Sequence, residues 1–204
     1  MCQEPVVIQQ RFYAFTDYVK FDDAMIKLDS VKETLKVHNF INFDAAGHVT
    51  MQIGDALFAF QARPKLKVIK YAGISKERTP IKHILGSADH ERSFFAVAHY
   101  NSDKAIIVSG GNRNDDFTLD SVLKFSLIDN TFSPIDAFMR IARQNHSSAI
   151  AGGKLYIVAG YDGVRELDSI EYLDLQNPYA QWHLIKSSSL TPRKDTSVVG
   201  LSSN

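Results

Sequence analysis

Gly152-Gly-Lys-Leu-Tyr-Ile-Val-Ala-Gly-Tyr-Asp-Gly163, with Leu167-Asp-Ser-Ile-Glu-Tyr-Leu-Asp174 and Trp182 behind it, is the stretch whose reading decides the fold. A Gly-Gly turn leads into a short apolar strand, Leu155 to Val158. A glycine-ended loop then leads into a second, alternating strand, and a lone tryptophan follows. This is the grammar of short antiparallel strands joined by tight turns. Residues 105–135 repeat it, with Ala105-Ile-Ile-Val-Ser-Gly-Gly111, then Leu119-Asp-Ser-Val-Leu-Lys-Phe-Ser126, then Phe132. Two such copies make the chain an array of like units, in which each unit buries its apolar face against the next.

Working outward, Leu57, Ile106 and Tyr156 recur at intervals of about 50 residues. Val49 to Phe60 reads as a hairpin about Gly54-Asp55, and Lys65 to Tyr71 alternates basic and apolar residues as a strand with one wet face does. Tyr71 and Phe125 fall at the same distance before Arg78-Thr-Pro-Ile81 and Phe132-Ser-Pro-Ile135. Ser93 to His99 and Asn145 to Ile150 read as the first strands of two units. The segment from Asp22 to Phe40 is open to two readings. Met25, Leu28, Val31 and Leu35 sit at helical spacing, yet Ala24 to Asp29 aligns with Leu123 to Ile128, and Thr34-Leu35 with Thr131-Phe132, which favours strands. Phe12 to Phe15 is a candidate inner strand. The expected units are therefore 11–43, 44–88, 89–139 and 140–190. A terminal strand at 191–201 has nothing after it, and the unit from Arg11 onward lacks a first strand.

Lys+Arg and Asp+Glu are 23 each, so no basic excess exists to hold a phosphate backbone or an anionic membrane. No apolar run approaches the roughly 18 residues of a membrane-spanning helix. Cys2 is the only cysteine, which rules out an intrachain disulfide and fits a reducing compartment; a cytoplasmic protein is expected.

The chemical motifs are weak. His83, His90 and His99 are too widely spaced for a local ligand set, and the Asn112, Asn114, Asp115, Asp116 loop lacks the sixth-position glycine and distal glutamate of a calcium loop. Ser109-Gly-Gly-Asn112 lacks the Lys-Ser/Thr and the helix of a phosphate cradle. Asn145-His-Ser147 has the form of a glycosylation sequon, which is idle without a secretory signal. No nucleophile sits in a recognisable elbow. No metal, cofactor or catalytic residue is expected.

Leu155-Tyr-Ile-Val-Ala-Gly160, Leu167-Asp-Ser-Ile-Glu-Tyr172 and Trp182 resemble a kelch repeat, whose strand ends in a glycine pair and is followed by spaced Tyr and Trp anchors. The preceding unit keeps Gly110-Gly111 and has Phe125 and Phe132 in place of Tyr and Trp. The first two units depart from the pattern, with Phe15-Thr16 and Phe60-Gln61 where glycines belong and Leu35 and Arg78 in place of Trp. The resemblance implies an all-β propeller of four-stranded blades, about four of them, with the aromatics filling the wedges between blades. It also implies that the strand at Thr196 to Leu201 joins Phe12 to Phe15 to close a ring. Three arrangements stay open: a small closed ring, a piece of a longer product, or a partial ring completed by a partner or a second copy.

The resemblance implies a function as well: protein–protein interaction through loops on one rim. His90, Arg143 and Arg193 each precede a first strand, with Ser93, Ser147 and Ser197 close behind, and the resemblance places this connection where partner peptides are held. A guanidinium there pairs a carboxylate bidentately, so His90, Arg143, Ser147, Arg193 and Ser197 form the expected grip on an acidic peptide. The competing reading has the arginines capping strand ends. Self-association is expected where the ring is incomplete. Two further functions stay open, the substrate-recognition part of a ubiquitin-ligase adaptor and a sugar-processing enzyme of propeller fold.

Overall fold

Alternation of apolar and polar residues at a period of two puts one face of each segment into a core, and tight turns return the chain alongside itself. The computed structural model describes residues 12–15, 24–29, 34–40, 49–54, 56–72, 81–88, 91–114, 116–186 and 190–198. Blade one comprises β1 (Phe12–Phe15), β2 (Ala24–Asp29) and β3 (Thr34–Phe40), in that order. Blade two comprises β4 (Val49–Ile53), β5 (Ala56–Gln61), β6 (Lys67–Ala72) and β7 (Ile81–Ser87). Blade three begins with β8 (Ala96–Tyr100) and β9 (Ala105–Ser109). A small ribbon, β10 (Asn112–Arg113) with β11 (Phe117–Thr118), interrupts it before β12 (Val122–Ser126) and β13 (Phe132–Ile135). Blade four comprises β14 (Ser147–Ala151), β15 (Lys154–Val158), β16 (Ser169–Asp174) and β17 (His183–Lys186). Every pairing within the blades is antiparallel. This is the all-β, kelch-type propeller architecture read from the sequence.

Residues 24–29 and 34–40 are strands, with Leu28 opposite Leu35 in the β2–β3 register. Gly152 and Gly153 take φ 55° and 74°, the left-handed pair that a two-residue hairpin turn needs between β14 and β15.

Blades stack face to face. Phe58, Phe60, Leu66 and Val68 of blade two pack on Phe95, Ile106, Val108 and Phe125 of blade three, with Phe132 at the margin. Ala98, Tyr100, Ile107 and Val122 of blade three pack on Leu155, Ile157, Leu173 and Trp182 of blade four. Each fully buried side chain of this size contributes about 2 kcal/mol, so the seams carry most of the stability. Trp182 also donates from its indole N–H to the Ala137 carbonyl at 3.0 Å, pinning blade four to the strand end of blade three.

Register corrects one sequence assignment. Phe125 stands opposite Ile106, and Leu173 stands opposite Leu155, so Leu173 is the counterpart of Phe125. Tyr172 is one residue out and lies on the other face, stacked on His183 with ring centroids 4.8 Å apart. A one-residue slip moves a side chain across the sheet. Tyr71 stands opposite Leu57 and does occupy the place of Phe125, and Trp182 continues the β16–β17 register to the place of Phe132. Of the expected closing strand, Thr196 to Val198 take no strand pairing, and the rest lies outside the described residues; β1 pairs with β2.

Candidate functional site

In each blade the loop between the second and third strands and the connection from the fourth strand to the next blade emerge at the same end, because antiparallel strands alternate direction. That end is the rim the sequence singles out.

The connections are threaded by repeated backbone bonds. Gly111 N donates to Arg143 O at 2.8 Å and Arg143 N to Leu119 O at 3.1 Å; one blade on, Gly160 N donates to Arg193 O at 2.9 Å and Arg193 N to Leu167 O at 3.1 Å. Phe94, Asn145 and Asp195 all take the left-handed conformation, with φ 54°, 51° and 54°. Asn145 N donates to Phe94 O, and Asp195 N to Asn145 O, each at 2.9 Å, so these three residues form a ladder from blade to blade. The close threading explains Gly110: with φ 53°, any Cβ there would collide with Arg143 O and lie 2.6 Å from the His146 ring.

The Arg143 side chain does not face a partner. It is wholly buried, and its guanidinium donates to Ala159 O at 2.8 Å, to Ser169 O at 3.3 Å and to Glu171 Oε1 at 2.5 Å. Glu171, equally buried, also accepts from Arg140 N at 2.7 Å and Ile141 N at 3.0 Å. Strand ends at the rim leave carbonyls without ladder partners, and the planar fork of an arginine satisfies several at once. Burial lowers the Arg143 pKa, an effect opposed by the Glu171 carboxylate. The expectation that Arg143 grips an acidic peptide is therefore corrected: its donors are occupied inside blade four. Arg92 does the same in blade three, donating to Gly110 O at 2.7 Å, Ser121 O at 2.9 Å and Ser121 Oγ at 2.8 Å. Arg92, rather than His90, is the counterpart of Arg143, and its position 51 residues earlier is the signal that identifies it. His90 lies outside the described residues.

Ser147 is also buried, with its hydroxyl 3.0 Å from Thr196 Oγ1. Arg193 and Ser197 are exposed. The Arg193 guanidinium bonds to Thr191 O at 3.0 Å and to the Thr191 hydroxyl. Of the four expected residues that are described, Arg143 and Ser147 are thus turned inward and Arg193 and Ser197 outward, and they do not form one site.

His146 sits 2.9 Å from Ser109 Oγ, a contact that in isolation has the look of a nucleophile and its base. Ser109 is wholly buried, and the second ring nitrogen of His146 has no hydrogen-bond partner. Burial first, then the Arg143 and Arg92 charges, push the His146 pKa down to about 3. A buried neutral imidazole of that kind serves as a packing contact between blades three and four. Among the described residues no group of three or more His, Cys, Asp or Glu is placed to hold a metal ion.

What the rim does present is apolar. Phe94, Phe117, Phe138 and Val164 are 41%, 65%, 64% and 86% exposed, and all four lie on its loops and connections. The loop of residues 162–165 meets the β10–β11 ribbon where Gly163 lies against Thr118. The same loops and connections carry charged groups: Arg165 is 3.8 Å from Asp162, Lys194 is 3.9 Å from Glu166 and lies over the Tyr161 ring, and Glu91 accepts from Asn114 N at 2.8 Å. At the opposite end the exposed large apolar residues among those described are Ile128 and Tyr179. Sequence reasoning missed the apolar set because its apolar character does not repeat: Phe94 stands where Asn145 and Asp195 stand in the next two connections.

Residues 142–179 match the kelch motif. No curated protein matches the chain. Among solved structures, one titled "Structure of YjhT" is similar at a TM-score of 0.61 and 12% identity, covering 73% of this chain and 53% of that one. The chain spans about half the length of that structure. With a kelch motif laid over blade four and the same blade grammar in its neighbours, the chain resembles the kelch-repeat proteins and shares their propeller fold.

Proposed function

We propose that the chain is a non-catalytic interaction module that binds another protein at the rim carrying the second-to-third strand loops and the blade connections. The observation that carries this reading is the placement of Phe94, Phe117, Phe138 and Val164, half of the eight exposed large apolar residues among those described, on that rim. Exposed apolar side chains gathered on rigidly held loops, rimmed by charge, mark contact surfaces. The partner segment offers apolar side chains to these residues and acidic groups to Arg165, Arg193 and Lys194, whose guanidinium and ammonium groups stand in solvent. The reading requires no cofactor, and its single cysteine suits it to a reducing, cytoplasmic setting.

The test is affinity capture with the wild-type chain and with Phe117→Asp combined with Val164→Asp. The double variant is expected to lose the captured partner while keeping its melting temperature, since neither side chain contributes to a seam between blades. Undiminished capture by the variant would overturn the reading.

A further inference from the structure

The seam between blades three and four is not filled along its whole length. Beside the β8–β9 turn it leaves a cleft of about 160 Å3, bounded by blade three on one side and by residues 173–180 of blade four on the other. Its walls are apolar: Tyr100, Ile107 and Ile135 stand on the face that blade three turns to blade four, and Leu173 and Leu175 face them. Lys124 shares that face because it is the cross-strand neighbour of Ile107. Its counterpart in blade two, Lys70, lies over the ring of its own neighbour, Phe58. Ile107 offers no ring, and the Lys124 ammonium donates instead to Asp103 Oδ2 at 2.5 Å.

The wall on blade four is held by its own turns. Leu175 N donates to Gly153 O, Gln176 N to Asp174 Oδ1, Tyr179 N to Asn177 Oδ1 and Ala180 N to Asn177 O, each at 3.0 Å. A cleft with fixed walls exists before anything enters it, which spares a ligand the cost of ordering it. An apolar cavity of about 150 Å3 takes one benzene ring, so this one takes a single group of that size. Charge selects what the group carries. Three carboxylates, of Asp103, Asp136 and Asp174, line the cleft against the one ammonium of Lys124. Lys124 is spent on Asp103, and Asp174, next to Leu173 along β16, places its side chain on the opposite face, across from Lys154. Asp136 is exposed, and none of the ion pairs among the described residues uses it. An anion entering the cleft meets surplus carboxylate, whereas a cation finds a free partner in Asp136. Among the described residues no three carboxylate or imidazole groups are placed to share a metal ion, which leaves an organic cation.

We infer that the cleft binds a small primary amine whose apolar part is about the size of one ring. The apolar part lies among Ile107, Ile135 and Leu173, where its burial supplies the affinity, and the ammonium stands on Asp136, which supplies the selection for positive charge. No residue lining the cleft belongs to the apolar set of the rim, so this site is independent of the partner binding proposed there.

Isothermal titration of the purified 204-residue chain with phenethylamine at low salt tests it, beside hydrocinnamate, an anion with the same ring, and putrescine, an amine without one. Phenethylamine is expected to bind saturably at one site per chain, and the other two about tenfold more weakly or not at all. Asp136→Asn is expected to weaken phenethylamine by about fivefold, the effect of a single exposed charge pair. Lys124→Met, which frees Asp103, is expected to leave it as tight or tighter. Neither side chain is buried, so both variants keep the wild-type melting temperature. Absence of saturable binding at millimolar phenethylamine would overturn the inference. So would hydrocinnamate or putrescine binding as tightly as phenethylamine, or a loss of phenethylamine binding in Lys124→Met with none in Asp136→Asn.

Discussion

Replacing Glu171 by Gln removes one charge and almost no volume. Glu171 Oε1 accepts from Arg143 Nη2 at 2.5 Å and from Ile141 N at 3.0 Å, while Oε2 accepts from Arg140 N at 2.7 Å. An amide supplies one oxygen and one NH2, so in either orientation a donor faces a donor. The Arg143 guanidinium is then left wholly buried without its counter-charge. Breaking a buried pair from one side costs about 3–5 kcal/mol, a large part of the roughly 5–15 kcal/mol a domain has. For a chain of this length that is a fall in melting temperature of roughly 10 °C. Thermal and urea unfolding of Glu171→Gln, Arg143→Met and the double variant Arg143→Met/Glu171→Leu form the assay. Both single variants are expected to fall and the double variant to recover much of the loss, because an apolar pair of similar volume removes both buried charges together. A change under about 1 kcal/mol in both single variants, the size expected of an exposed pair, would refute the reasoning. The same experiment separates two roles for Arg143, since a rim residue that grips a partner would leave the melt unmoved.

His146 ties stability to pH. Its folded pKa of about 3 lies below the usual 6.5, so the unfolded chain binds the proton more readily. The contribution is fully present above pH 6.5 and is lost as pH falls toward 3; by pH 5 the loss is about 2 kcal/mol. Urea melts at pH 8 and pH 5 should show it, and His146→Gln should flatten the difference; an unchanged slope in that variant would contradict the buried neutral imidazole. Two glycine substitutions should diverge. Gly152 and Gly110 share a left-handed φ, but a Cβ on Gly152 meets nothing within 4 Å, whereas one on Gly110 collides with Arg143 O. Gly152→Ala is therefore expected to cost about 1 kcal/mol and Gly110→Ala clearly more than about 2 kcal/mol. Equal costs by chemical denaturation would argue against the threaded connection.

The blade pattern was legible where local chemistry dictates it: Gly152-Gly153 as a hairpin turn, Leu155 to Val158 as a strand, Phe132 and Trp182 at one place in successive blades. Tyr172 was misassigned because Tyr172 and Leu173 are both acceptable apolar anchors, and only the pairing of Leu173 with Leu155 decides which faces blade three. Arg143 was misread for a different reason. Its place before a first strand is visible in the sequence, but its partner Glu171 lies on the third strand of the same blade, 28 residues away, and nothing local links them. The apolar rim was not legible at all. Phe94, Phe117 and Val164 read as ordinary apolar residues until strand direction brings their loops to one end.

Site-specific photocrosslinking addresses the central claim, that this rim is the binding surface, most directly. A photoreactive side chain is placed in turn at Phe94, Phe117 and Val164 on the rim, and at Ile128 and Tyr179 on the opposite end. The account expects a covalent adduct with the same captured protein from the three rim positions and none from the other two. Adducts from Ile128 or Tyr179, with the rim positions silent, would contradict it.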